Sequence, residues 1–164
     1  MCPNSLNDLF KDGLKHAYYT EQQLVDATEE LANQSSEGEI ASAFSEHHDE
    51  TQGHVNRIET VFDAIGESPE TKSDSAVEGL INDHDEFASQ DPDQNVLDRF
   101  NIAAGQKSEH YEIAMYGNLI PLADQLGMDD VADTLEQNLR EEQDALEKLS
   151  TIGEEFDYGQ LPSE

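Results

Sequence analysis

The chain contains one cysteine, Cys2, among its 164 residues. A single thiol cannot form a disulfide within the chain, so a disulfide-stapled fold is excluded. The first residues lack the basic stretch followed by an apolar stretch that marks a secretory signal peptide. No apolar run approaches the roughly 18 residues of a membrane-spanning helix. We therefore expect a cytoplasmic protein with no membrane partner.

Basic residues are also scarce, with 8 Lys and Arg against 38 Asp and Glu, for a formal net charge of −30. Nucleic acid and anionic membrane surfaces would repel such a chain, so neither is expected as a partner. The self-repulsion is tolerable at high salt, because the Debye length falls to about 3 Å at 1 M. Since the acids are spread over every predicted helix, the composition indicates a protein from a salt-accumulating halophile rather than one acidic binding face.

Hydrophobic residues make up only 35% of the chain, but they recur at helical spacing, and no strand pattern is present. Ser5 is the predicted N-cap of the first helix and Ser75 that of a short one, while Asp91 and Pro92 are expected to open the third long helix. The predicted helices cover about 5–34, 37–65, 75–89, 93–126 and 129–152. They predict one all-α domain over 1–153, followed by an acidic tail over 154–164.

The connection from about 67 to 92 is the main clue to topology. Two helix hairpins joined by one long crossover have the connectivity of ferritin-like bundles, whereas an ordinary up-and-down bundle has three short loops. The sequence therefore predicts a ferritin-like four-helix bundle with a short extra helix in the crossover.

Polar residues interrupt the apolar stripe of each long helix near its middle. They are Glu21 in the first helix, His47, then Glu50 or Thr51, then His54 in the second, Glu109 and Glu112 in the third, and Glu142 in the fourth. Ionised carboxylates in a dry interior are costly unless they are paired or bound to metal. Two divalent ions would neutralise such a set, and oxygen with imidazole ligands suits iron, manganese or zinc.

Chance offers another explanation, because nearly a quarter of the residues are acidic and Glu142 stands beside Glu141. Four helices interrupted at matching depth by Glu, never by Asp, favour the metal interpretation. Glu21, Glu50 and Glu109 are the strongest candidate ligands, and Glu112 lies on the face of Glu109. Two alternatives stay open for His54, a ligand or a solvent-facing residue, and His47 is a weaker candidate ligand. We expect His48, His84 and His110 to face solvent.

Two segments resemble the YciE/YciF family of ferritin-like proteins: ASAFSEHHDETQGHVNRIETVF over 41–62 and SEHYEIAMYGNLIPL over 108–122. The stretches 9–24 and 135–149 fit the same family's first and last helices. The resemblance implies a bundle with a di-metal carboxylate site, found mostly as dimers and linked in bacteria to stress responses. It also implies metal ligands at Glu21, Glu50, Glu109, Glu112 and Glu142.

The chain departs from the wider ferritin-like pattern at Gly53 and Ala145, three residues after Glu50 and Glu142, where a ligand histidine would be expected. His54 is a possible replacement. Three functions stay open: a di-iron or dimanganese protein that reacts with oxygen or peroxide during stress, a non-enzymatic dimeric bundle with a structural metal or protonated carboxylates, and an iron store, which would need a shell.

Overall fold

The computed structural model describes residues 3–163, so the inference drawn from Cys2 lies outside the described residues. Five α-helices follow one another: α1 (Leu6–Gln34), α2 (Glu39–Ala64), α3 (Ser75–Ala88), α4 (Gln94–Gln125) and α5 (Asp129–Glu154), with a 3₁₀ turn at Tyr158–Gln160. No strand occurs between residues 3 and 163. The predicted all-α class is confirmed.

Helices α1 and α2 form one hairpin and α4 and α5 form the other, with α1 packed on α4 and α2 on α5. The end of α1 meets the start of α4, because the Ser36 backbone N–H donates to Asp98 at 2.9 Å and the Gln94 amide donates to the Gln34 carbonyl at 2.9 Å. Helix α4 therefore runs antiparallel to α1. The connection from α2 to α4 must cross the length of the bundle, and α3 lies in it against α4 and α1. This is the predicted ferritin-like arrangement.

Helix starts follow local capping chemistry, which corrects two predicted caps. The Ser5 side chain accepts from the Asp8 N–H, as predicted. The short helix is capped by Asp74 rather than Ser75, and the third long helix by Asp93 rather than Asp91. The Asp91 prediction was wrong because this residue has a φ of 53° and belongs to the preceding turn. Asp74 and Asp93 accept backbone N–H bonds that would otherwise be unsatisfied.

Two separate hydrophobic clusters lie at opposite ends of the bundle. One contains Phe10, Leu14, Ile58, Phe62, Leu119 and Leu135, and the other contains Leu31, Phe44, Ile102 and Leu149. Along each long helix, the residues between these clusters are the polar interruptions noted in the sequence. The bundle therefore encloses a polar layer between two apolar ones. Among residues 3–163, no helix combines the length and apolarity that crossing a bilayer requires.

His84 on α3 was expected to face solvent and is buried. Its Nε2 lies 2.9 Å from Asn101 Oδ1, and its ring packs beside Phe100. The prediction failed because the crossover helix packs on α4, which the periodicity of α3 alone does not show.

Candidate metal centre

Three long helices contribute fully buried carboxylates to the polar layer. Glu21 comes from α1, Glu109 and Glu112 from α4, and Glu142 from α5, and all four are 0% exposed. The three-residue spacing of Glu109 and Glu112 places both on one face of α4. Four buried carboxylates from three helices therefore face one another inside the bundle.

Helix α2 contributes two histidines rather than a glutamate. His47 and His54 are buried, and Thr51, between them on the same face, is also buried. The Thr51 hydroxyl donates to the His47 carbonyl at 2.8 Å, which satisfies it within the helix. Glu50 is one residue out of this register, and its side chain is 34% exposed. Of the two residues that the sequence left open, Thr51 lies on the inward face.

The two imidazoles reach the carboxylates directly. His47 Nε2 lies 2.8 Å from Glu109 Oε1 and 3.6 Å from Glu142 Oε2. His54 Nδ1 lies 2.8 Å from Glu142 Oε1 and 3.3 Å from Glu21 Oε1. We call these six residues the acid–histidine cluster: Glu21, His47, His54, Glu109, Glu112 and Glu142.

The outward nitrogen of each histidine faces a carboxylate outside the cluster. His54 Nε2 lies 2.9 Å from Glu141 Oε2, and Arg57 clamps Glu141 with two hydrogen bonds of 2.7 and 2.8 Å. His47 Nδ1 lies 3.3 Å from Glu50 Oε2. Metal-binding histidines are usually held in this way, because the outer carboxylate fixes the tautomer and orients the ring. Glu50 therefore takes the position of an outer partner of His47.

Glu21 is held by a buried tyrosine. The Tyr116 hydroxyl donates a hydrogen bond to Glu21 Oε1 and accepts one from the Asn138 amide at 3.0 Å. Arg57 donates in turn to the side-chain oxygen Oδ1 of Asn138 at 2.8 Å. This chain of hydrogen bonds joins the Glu21 side of the cluster to the partners of His54.

The electrostatics favour protonated histidines beside partly protonated acids. Burial alone would lower the pKa of His54, but Glu21 and Glu142 outweigh it and raise this pKa to about 10. Burial raises the pKa of Glu112 well above its ordinary value, and the charges of Glu142 and Glu21 add to this. Burial and neighbouring Glu109 likewise raise the pKa of Glu142. Without a bound cation, the carboxylates of the cluster can therefore stay buried together only if some of them take up protons.

The carboxylate oxygens are short of partners. Seven of them, from Glu21, Glu109, Glu112 and Glu142, are buried without a hydrogen bond. Two of the seven lie 2.8 Å from an imidazole nitrogen but lack hydrogen-bond alignment. Buried polar atoms in proteins are normally satisfied, so this concentration calls for a ligand. Four carboxylates carry the charge that two divalent cations would neutralise, and the donor set fits iron, manganese or zinc.

The geometry divides the cluster into two overlapping sets of donors. His47, Glu109, Glu112 and Glu142 each offer one ligand atom within 4.8 Å of the others, and so do Glu21, His54 and Glu142. Glu142 belongs to both sets. The arrangement can therefore accommodate two cations that share one carboxylate, as in two-metal sites.

Five of the six residues predicted from the sequence meet in this cluster: Glu21, His54, Glu109, Glu112 and Glu142. Glu50 does not join them in this structure. His47, which the sequence marked as a weaker candidate, takes the inward position on α2. The signal that could have identified His47 is helical spacing. Positions 47, 51 and 54 continue the three- and four-residue spacing of the buried face that runs from Phe44 to Ile58.

Comparison with known proteins agrees with the family resemblance noted in the sequence. The family described as a domain of unknown function, DUF892, matches residues 5–156. Protein YciF of Escherichia coli is 36% identical over 149 residues, 90% of each chain.

Solved structures are also similar to this chain. YcfI from Rhodopseudomonas palustris, described as a putative structural protein, has a TM-score of 0.88 and 38% identity, covering 92% of this chain and 96% of its own. The E. coli stress protein YciF has a TM-score of 0.87 and 36% identity, covering 92% and 95%. A protein from Xanthomonas campestris, at 20% identity and a TM-score of 0.74, shares the fold.

Proposed function

This chain belongs to the DUF892 family, and because the description of that family assigns no activity, we propose a function from the buried residues of the chain. We propose that it is a di-metal carboxylate protein that holds two iron or manganese ions and acts on oxygen or peroxide in stress protection. Zinc is the third metal that the donor set would accept. The seven unsatisfied carboxylate oxygens are the observation that carries the proposal. They are gathered at mid-bundle, where an empty cluster of acids would be costly.

Each residue of the acid–histidine cluster has a defined task in this proposal. His47, through Nε2, would hold one ion together with Glu109 and Glu112. Glu21 and His54, through Nδ1, would hold the other. Glu142 would bridge the two. The outer contacts to Glu50 and Glu141 would keep each ring oriented toward its ion.

Bound iron or manganese would supply the electrons for reducing oxygen or peroxide. The chain would keep this chemistry enclosed, because the two hydrophobic clusters close the polar layer from both ends. The Tyr116 hydroxyl donates a hydrogen bond to Glu21 Oε1, and it would keep its proton there, because burial and the Glu21 charge raise its pKa well above the ordinary value. The similarity to YciF, described as a stress protein, supports a protective role.

A structural role is the alternative, and the geometry supports it in one respect. Both histidines lie 2.8 Å from cluster carboxylates, so imidazolium ions could replace the metal charge. The similar YcfI is described as a putative structural protein. In this alternative, metal or protons stabilise the bundle and no substrate is turned over.

Assembly and location complete the proposal. We propose that the protein is a homodimer, which the family resemblance implies and with which the exposed Leu6 and Leu9 on α1 are compatible. We also propose that it is cytoplasmic. Sedimentation of the full chain would test the assembly. A particle much larger than a dimer would instead favour the iron-store function.

Consumption of oxygen and peroxide by ferrous-loaded protein tests the redox function. We expect the wild type to consume them faster than the same iron free in buffer, and Glu112→Gln to lose this excess. Glu136→Gln is the matched control, since the Glu136 side chain is 44% exposed and forms an ion pair with Arg140 on the same helix. Iron bound without any excess consumption would leave the structural function.

A further inference from the structure

A groove between α2 and α5 leads toward the acid–histidine cluster. It has a volume of about 80 Å³ and is lined on one side by Glu46, His47 and Glu50, and on the other by Asp144, Ala145 and Lys148. His47 is buried at its inner end, while Glu46, Asp144 and Lys148 are exposed at its outer end. The groove therefore connects the surface to one residue of the cluster.

The mouth of the groove carries two carboxylates, Glu50 and Asp144, that no Lys or Arg of residues 3–163 pairs with. Within residues 3–163, the one ion pair of Glu50 is with His47, and Asp144 forms none. Glu141, the outer partner of His54, is instead clamped by Arg57. The two outer carboxylates are therefore not equivalent, because Glu141 is fixed and Glu50 is not.

His47 forms the inner end of the groove and faces both ways. Its Nδ1 lies 3.3 Å from Glu50 Oε2 at the mouth, and its Nε2 lies 2.8 Å from Glu109 Oε1 inside. Behind it, both oxygens of Glu109 and of Glu142 are buried and lack hydrogen bonds. One imidazole thus separates an acidic groove from buried carboxylates that lack hydrogen bonds.

Three apolar side chains also line the groove: Ala43, Phe44 and Leu149. Ala145 and Lys148 set its width and charge. Ala145 lies where a larger side chain would fill the space between the helices. Lys148 forms an ion pair with Glu46 on the outer rim, which places one positive charge at the entrance. A cation that approaches would be attracted by Glu50 and Asp144 and repelled by Lys148.

We infer that this groove is the route by which a divalent cation enters the cluster, with Glu50 and Asp144 as transient ligands on the way past His47. The inference rests on the proposed di-metal function, and it adds the route and an outer cation site. Glu50 then serves the site without belonging to its buried ligand set.

The rate of cobalt(II) uptake by metal-free full-length protein tests the route, followed by the absorbance of the bound ion after rapid mixing. Asp144→Asn should slow uptake by about tenfold, within the range by which surface charge alters association rates. Glu147→Gln is the matched control, because it removes one charge from an exposed residue of α5 that does not line the groove. Its uptake should equal that of the wild type.

Two further variants work in opposite directions. Lys148→Met removes the positive charge at the rim and should accelerate uptake severalfold. Ala145→Leu should obstruct the groove and slow uptake by at least about tenfold, while the final number of bound ions stays the same. Lys148 is exposed, so its variant tests the route even if Ala145→Leu fails to fold.

The results separate the route from the metal centre. Wild-type uptake rates in Asp144→Asn and Lys148→Met, with two cobalt ions bound at equilibrium, would overturn the route and leave the metal centre standing. Absence of cobalt uptake by the wild type would overturn both. Slower uptake by Asp144→Asn with unchanged final binding would support the route.

Discussion

His47 and His54 are seven residues apart on the inward face of α2, and their ring centroids lie 6.4 Å apart. They present opposite nitrogens to the acid–histidine cluster, Nε2 from His47 and Nδ1 from His54. The remaining nitrogen of each ring faces an outer glutamate. One helix thereby supplies both imidazoles of the proposed two-ion site and leaves the carboxylates to the other three long helices.

Removing the Glu141 carboxylate, which contacts the outward nitrogen of His54, should weaken metal binding. Glu141→Gln keeps the shape of the side chain but removes the charge that orients the ring and strengthens its basicity. Loss of such partners typically lowers metal affinity by about 10–100-fold. We expect a decrease of this size in calorimetric titration with manganese. Glu136→Gln, on the exposed face of α5, should bind as the wild type does, and an equal decrease in both variants would contradict this role of Glu141.

The metal-free protein should lose stability as the pH rises. The folded-state pKa of His54, about 10, lies above its ordinary 6.5, so its contribution is complete below pH 6.5 and lost as the pH rises toward 10. The raised pKa values of Glu112 and Glu142 act in the same direction, because ionisation of these buried acids above their ordinary 4.5 opposes folding. The lowered pKa of Glu109 acts oppositely, at the acid end of the range.

Urea unfolding of chelator-treated protein at pH 6.5 and pH 9.5 would measure this dependence. We expect a lower midpoint at pH 9.5 for the metal-free protein. The metal-loaded protein should show no such decrease, because metal binding replaces the protons. A metal-free midpoint that rises between these pH values would contradict the protonation pattern of the cluster.

Much of the site was predictable because the sequence shows how far along each helix the polar residues interrupt the apolar stripe. The apolar stripes fix which turn of each helix reaches the middle of the bundle, and Glu21, Glu109, Glu112 and Glu142 each occupy that turn. The rotation of α2 was not predictable in the same way. Glu50 and Thr51 both fit the stripe to within one residue, about 100° of helical rotation. Only packing against α1 and α5 turns Thr51 inward and leaves Glu50 at the groove.

The topology was predictable from loop lengths, whereas the environment of the crossover was not. A long connection must cross the bundle, but the sequence does not show which helix α3 contacts. His84 and Asn101 therefore formed an unforeseen buried pair between α3 and α4. The N-caps of α3 and α4 were misplaced for a related reason, since several Asp and Ser residues near each start can cap equally well.

Close packing at Gly105 gives a prediction that is independent of metal. A Cβ at this position of α4 would lie 2.8 Å from both Leu149 and Phe44. Gly105→Ala should therefore destabilise the protein by about 1–3 kcal/mol, the usual cost of overpacking. Gly117→Ala on the same helix is the control, because a Cβ there meets nothing within 4 Å. Gly117→Ala should stabilise the protein by about 0.5–1 kcal/mol. Urea unfolding should therefore show changes of opposite sign in the free energy of unfolding of the two variants.

The charge of −30 should make stability depend strongly on salt. Most of the cations are already paired on the surface, as in Lys11–Glu67 and Lys72–Asp12, so the excess acids repel one another. We propose that this surface is a halophile adaptation. Screening at molar salt should raise the unfolding midpoint steeply relative to low salt. Potassium chloride should be used, and a flat dependence up to 2 M would exclude the adaptation.

Metal bound to the folded protein should also stabilise it. A ligand that binds only the native state adds about 2.7 kcal/mol at a hundredfold excess over its dissociation constant. Wild type should gain this stability from manganese, and Glu112→Gln should not. Because Glu112→Gln removes a repelling buried acid, its metal-free form should be at least as stable as the metal-free wild type.

Metal content is the most direct test of the central claim that the acid–histidine cluster is a two-ion site. The full chain should be purified without chelators, exposed to excess ferrous or manganous ion without oxygen, desalted, and analysed by elemental mass spectrometry beside Glu112→Gln and Glu136→Gln. The account predicts two ions per chain in the wild type and in Glu136→Gln, and fewer in Glu112→Gln. Wild type with no more metal than Glu112→Gln would contradict it.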